Sequence, residues 1–364
     1  FLSFLGLLIN FFFPLNIIVN SIIFVIPFFF IFKKYFFIKK DLFFLILCSI
    51  IVYLIIIFDN INRPDAGLYH LPYTQILNEH KIILGLSNLH SRFGHISIIQ
   101  YLNAINYNFA TGLNGILIPL SSLMVFIFLY FVNEVYNFIK KKEDLNLNHI
   151  FSLFILIFIC YKINRYSSFG NDATSHLLFF YLISIFLKSE NTYTQLNKMT
   201  LIATYVFLSK ITLVLSFAFP LLIYIFLKKR KNKIFLSFSV FFLLLWFLKN
   251  ILVSSCLIFP IEQTCYENFS WHNNSQIEKQ AILGEAWSKG WPDRNELEIS
   301  QKEYIEKFNW IKTWYSKHFI FISKIFFPYI CFLILILLFI NLKKNKKSNS
   351  FKFDRKSHQK IYFS

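Results

Sequence analysis

Charge is scarce in this chain: only 15% of its 364 residues are Asp, Glu, Lys or Arg, against ~25% in a soluble domain. That deficit, with 56% hydrophobic residues, excludes a soluble enzyme and a disordered tail, and five cysteines are too few for a disulfide scaffold. No glycine-rich phosphate loop, Walker pattern or dinucleotide fingerprint occurs, which argues against ATP-driven transport and direct use of a cytoplasmic nucleotide. The histidines lack HExxH or Cys/His spacing, so there is no metal signature. Alternating barrel strands and an internal repeat are also missing. The chain does not begin with Met, and no basic segment precedes its first apolar stretch, so that stretch reads as a membrane segment, with truncation left open, and not as a signal peptide.

What is present is long apolar sequence, at about 1–16, 17–32, 42–58, 113–133, 150–163, 173–187, 199–227, 234–252 and 319–341. Runs of this length suit a bilayer, and helices are the spanning form that satisfies the backbone there. The expectation is an all-α polytopic membrane protein with about 8–10 transmembrane helices. The surplus of 37 Lys and Arg over 19 Asp and Glu gives +18. These cations sit beside apolar runs and form no continuous face, so they read as topology signals; no nucleic acid is expected as a partner. Clusters at 33–40, 140–142, 228–233 and 343–347 place those loops in the cytoplasm, whereas the loop 253–318, with seven Lys or Arg against nine Asp or Glu, belongs outside. Parity then puts 59–112 outside as a structured loop with interfacial helices, and 164–172 outside as a short one. It also makes 199–227 either one re-entrant element or two short helices broken near Ser209 and Lys210. The domain is 1–341, followed by a basic tail, 342–364.

Residues able to do chemistry concentrate in the exterior loops. Asp65 directly precedes a helix on which His70 and Thr74 share a face, with Pro72 in its first turns, so it is either an N-cap or a functional acid. Asp59 ends a span and reads as an interface residue. Asp172 opens another span, again as a cap or as a second acid facing the same cavity, with Asn171 and His176 beside it and Arg165 at the interface. Lys210 lies between apolar flanks, where an unpaired ammonium is expensive. It is either snorkelling or a cation for a phosphate, and Arg92 and Lys249 are similar candidates. The tryptophans at 271, 287, 291, 310 and 314 mark the membrane interface or stack on sugars. Cys256 and Cys265 fall outside, where a disulfide could form, while Cys48, Cys160 and Cys331 read as packing residues.

The stretch PDAGLYHLPYTQILNEHKIILGLSNLHSRFGHIS, residues 64–97, resembles a group of bacterial proteins with a D-x-G-L-Y-H-x-P/Q…G-L-x-N-L-H-x-R pattern, and GNDATSHLLFFYL, SKIT and LKNILVSSCLIFP resemble later blocks of that group. The layout, over residues 40–265, is similar to the GT-C superfamily of integral-membrane glycosyltransferases. That resemblance implies an enzyme of the bacterial inner membrane, facing the exterior, that transfers a sugar with inversion from a polyprenyl-phosphate donor to a glycan or lipid acceptor. It implies Asp65 as the catalytic base and Asp172 as the second acid. Arg92 and Lys210 would hold the phosphate, with His70, His90, Asn171, His176 and Lys249 as further substrate-binding candidates. No adjacent acidic pair stands in the first loop, which leaves a divalent metal without a motif. Two alternatives remain: an envelope polysaccharide polymerase or ligase using a polyprenyl-diphosphate oligosaccharide, and a non-catalytic flippase or transporter.

Overall fold

The computed structural model describes residues 1–34, 39–58, 64–95, 97–141, 145–162, 172–188, 192–227, 234–291 and 299–324, with isolated helical residues up to 338. Among them the chain is helical, with a single isolated β-bridge between Cys256 and Cys265. Two units divide it, Phe1–Glu278 and Lys279–Ser364.

In the first unit, α1 (Leu2–Asn10) and α2 (Ile17–Lys34) precede α3 (Lys39–Ile57). A π-helical turn, Ala66–His70, runs directly into α4 (Leu71–Glu79), and two 3-10 turns, Leu86–Asn88 and Ser91–Gly94, lead to α5 (Ile98–Ile105). Then come α6 (Ile118–Lys141), α7 (Leu147–Lys162), α8 (Asp172–Leu187) and α9 (Tyr193–Ser209), a 3-10 segment Ile211–Phe217 into α10 (Ala218–Phe226), and α11 (Ile234–Ser254). A further helix, α12 (Asn274–Ser288), follows. The predicted break at Ser209 and Lys210 is present: α9 ends at Ser209, and Lys210 is extended, at φ −151° and ψ 107°. The stretch 1–16 does not form one spanning helix. The nine residues of α1 rise only about 13 Å, against the roughly 30 Å of a hydrocarbon core. By length and composition one described helix, Gly112–Lys140, suffices to cross a membrane; the other apolar helices are shorter.

The loop 64–112 is held by capping and by buried asparagines. Ser97 and Gln100 form a reciprocal capping box at the start of α5. Asn20 donates to the carbonyls of Leu15, Ala104 and Tyr107 at 2.6–2.9 Å, which satisfies orphan groups at the end of α5 and ties that helix to α2. Asn10 donates to His80 at 2.9 Å, fastening α1 beyond the end of α4. The loop is therefore part of the core: Ile98, Tyr101 and Ala104 of α5 are fully buried, and α5 packs on α1.

Two polar groupings mark opposite ends of the helices. At one end Glu134 of α6 accepts from Asn148 of α7 and from Lys188, just past α8, both at 2.8 Å. Ser184 extends this network, donating to Asn148 at 2.6 Å and contacting Tyr130 at 2.9 Å. Glu134 is thus a buried carboxylate with its acceptor capacity used, a satisfied network of the kind that locks helices in register. At the other end lie Asp172 and Lys210. Large apolar side chains stand exposed along α3 (Phe43, Ile50, Leu54), α10 (Leu221, Ile225) and α11 (Phe241, Leu244). Cys160 is exposed on α7, contrary to a packing role.

Cys256 and Cys265 form a disulfide that closes a short loop. Phe259 of that loop lies against Gly94, where a Cβ would collide with its ring, and meets the His95 ring edge-on at 5.3 Å. Breaking the bridge releases a ring closed over a sequence separation of nine residues, worth about 2–3 kcal/mol by chain entropy. Reduced protein, and the Cys256→Ser/Cys265→Ser pair, should therefore unfold at lower denaturant than oxidised wild type. A midpoint that ignores dithiothreitol would show that the bridge carries no stability.

The second unit holds a small aromatic core of Ala286, Trp291 and Tyr304, with α13 (Gln301–Glu306) and α14 (Trp310–Trp314). The Tyr304 hydroxyl donates to the Lys289 carbonyl at 3.0 Å. Trp291 is buried here, whereas Trp287 is exposed.

Candidate active site

Sequence-distant elements bring acids and cations together at the end of α8 and α9. The π-helical turn Ala66–His70 separates Asp65 from α4, and the Asp65 carboxylate acts on the Tyr69 phenol. Asp65 is exposed, and its side chain makes no capping bond, so the cap alternative fails and the carboxylate is presented outward. The Arg92 guanidinium lies 5.7 Å from the centre of the Tyr69 ring. Burial, then the negative charge of Asp65, raises the Tyr69 phenol to about 12, so it stays a donor at neutral pH.

Asp172 begins α8 and accepts from Lys210 at 2.7 Å. The break after α9 supplies this contact: the extended backbone at Lys210 ends the helix there. The intramembrane-looking lysine is therefore paired, which removes the cost its apolar flanks imply. The pair is open to solvent on the Asp172 side, at 64% exposure, and is worth at most about 1 kcal/mol of stability. Both Asp65 and Asp172 act electrostatically on Tyr69 and on His70, and so does Arg92. These charges thus form one cluster.

The remaining predicted residues divide. His70 is buried, its Nδ1 without a hydrogen-bond partner among the described residues. Burial holds it at about 4, well below the ordinary 6.5, so it is neutral at physiological pH. His176, partly buried on α8, lies in the field of Lys210 and Asp172. His90 is turned to its own chain, its Nδ1 accepting from the Arg92 N–H at 3.2 Å; that bond shapes the turn that carries Arg92. Lys249 is buried in α11, with its Nζ 3.3 Å from the centre of the Trp246 ring. Asp59, Arg63, Asn171 and Arg165 lie outside the described residues. Tyr69 was not singled out from sequence, although its i, i+4 spacing from Asp65 is a readable signal. Among the described residues no three His, Cys, Asp or Glu side chains converge, so a divalent ion finds no ready ligand set here.

The first unit also holds a cavity of about 750 Å³, lined by Phe4, Ile99, Leu123, Thr174, Tyr205 and Phe242 among others. Its lining is overwhelmingly apolar, and Thr174 places it within two residues of Asp172.

Fold and site together define a helical protein with a paired acid–cation group and an apolar cavity. Residues 1–362 match the family described as a domain of unknown function, DUF8201, and the chain belongs to that family. No curated protein and no solved structure matches it.

Proposed function

We propose that the chain is a polytopic inner-membrane glycosyltransferase of GT-C type, moving a sugar from a polyprenyl-phosphate donor to an exterior glycan or lipid. The observation that carries this reading is that Asp65, Arg92 and Asp172, the last paired with Lys210, all act on Tyr69, in a unit that also holds an apolar cavity reaching Thr174 of α8. The membrane setting draws support from the large apolar side chains exposed along α3, α10 and α11, and from a disulfide in a loop assigned to the oxidising side.

Each part has a chemical task. Inverting transfer needs a carboxylate to take the acceptor hydroxyl's proton as the new glycosidic bond forms. Asp65 serves, being exposed and oriented by the Tyr69 phenol. Negative charge grows on the departing phosphate and calls for fixed cations beside it. Arg92 and Lys210 supply them, with Asp172 orienting Lys210. The polyprenyl chain occupies the apolar cavity, whose volume is in the range of ligand sites.

The test is purified protein in liposomes with a radiolabelled polyprenyl-phosphate sugar and a glycan acceptor. Label appearing on the acceptor is expected. Transfer only from a polyprenyl-diphosphate oligosaccharide would move the protein to the polymerase or ligase class, and lipid translocation without transfer would make it a flippase.

A further inference from the structure

The cluster accounts for Asp65, Asp172, Arg92 and Lys210 but leaves one cation unexplained. Lys249 is fully buried, and among the described residues no acceptor reaches its Nζ. Its contact with the Trp246 ring at 3.3 Å satisfies none of its three N–H donors. Trp246 is fully buried as well, and its Nε1 also lacks an acceptor. Two unsatisfied donors therefore sit side by side in a helix, Ile234–Ser254, that contains no acidic residue. Leaving such groups unmatched is costly, and a methionine of similar length would avoid the cost. An oxygen-rich group from outside the chain resolves the conflict.

Position along α11 indicates what that group is attached to. Phe238 and Phe242 line the apolar cavity. Trp246 and Lys249 continue the same face at i+4 and i+7 from Phe242, so Lys249 stands about 10 Å further along the axis. An amphiphile with its chain between Phe238 and Phe242 would carry its head to Trp246 and Lys249.

We infer that Lys249 and Trp246 form a buried oxyanion site that grips a phosphate ester, with the Nζ and Nε1 donors directed at its oxygens. The identity of the ligand as a lipid phosphate rests on the donor reading above; the site itself rests on the unsatisfied donors.

The experiment is binding to the full chain, purified in an uncharged detergent, of farnesyl phosphate, inorganic phosphate and farnesol, read by thermal shift and titration. Wild type should respond to farnesyl phosphate and not to farnesol. Lys249→Met should melt no lower than wild type without ligand, yet bind farnesyl phosphate ~10–100-fold more weakly, the loss of charge-assisted hydrogen bonds. Trp246→Phe, which keeps the ring and removes the Nε1 donor, should lose affinity in the same direction, and Lys249→Arg should retain most of it. Tighter binding of farnesyl phosphate than of inorganic phosphate assigns the site to a lipid, and equal binding assigns it to free phosphate; either supports an oxyanion site. Equal affinity in wild type, Lys249→Met and Trp246→Phe would overturn it. Because the readout is binding alone, a phosphate response without sugar transfer would remove the enzyme reading and keep the site, and transfer with unchanged binding in both variants would do the reverse.

Discussion

Asp65→Asn is expected to reduce sugar transfer by ~10²–10⁴-fold, the contribution of a positioned general base. The substitution keeps the shape of the side chain and an oxygen for the Tyr69 phenol, and removes only the capacity to take a proton. Stability should change by no more than about 0.5 kcal/mol, because Asp65 is exposed and caps nothing. Loss should fall on kcat with KM little altered, since the proton moves only as the bond forms. Tyr69→Phe should produce a smaller loss, leaving the base present but less well oriented. Full transfer by Asp65→Asn would remove that carboxylate from the chemistry and turn attention to Asp172, which is paired with Lys210.

Much of the helix layout was legible because it is written in local pattern. Alternating apolar runs and basic clusters imply that the chain reverses at each loop, and two pairings are consistent with it: Glu134 with Lys188 at one end, Asp172 with Lys210 at the other. The break at Ser209 and Lys210 was readable for a similar reason, as a charge inside an apolar run. The partner was not readable. Asp172 and Lys210 are separated by 38 residues, and no spacing rule links groups so far apart. The same limit hid the Glu134–Asn148–Ser184 network, whose members each look like ordinary helix residues alone. Lys249 shows the limit from the other side. Its position near a helix end suggests an exterior cation, yet the stripe Phe242, Trp246 and Val253 turns that face into the core. Within the first apolar stretch the helix ends at Asn10, whose side chain donates to the His80 carbonyl, a contact 70 residues away that no local pattern announces.

His70 gives the site a pH-dependent stability whose sign follows from its burial. Its ordinary value is 6.5 and its folded value about 4, lowered by burial first; Asp65 and Asp172 oppose that shift and Arg92 adds to it. A depressed folded value means the native state refuses a proton that the unfolded chain accepts. The contribution is fully present above pH 6.5 and is lost as pH falls through the window down to 4, amounting to about 3 kcal/mol. His70→Asn, which cannot titrate, should therefore show a flatter fall in denaturation midpoint between pH 7 and pH 4.5 than wild type does. The carboxylates that begin to titrate in the same window are common to both proteins, so the difference between the two curves isolates the imidazole. Parallel curves would mean that the ring is already protonated in the folded state, and with it that Asp65 and Asp172 dominate its surroundings. A neutral His70 adds no charge beside Asp65, which leaves Arg92 as the cation acting on His70 and Tyr69 among the described residues.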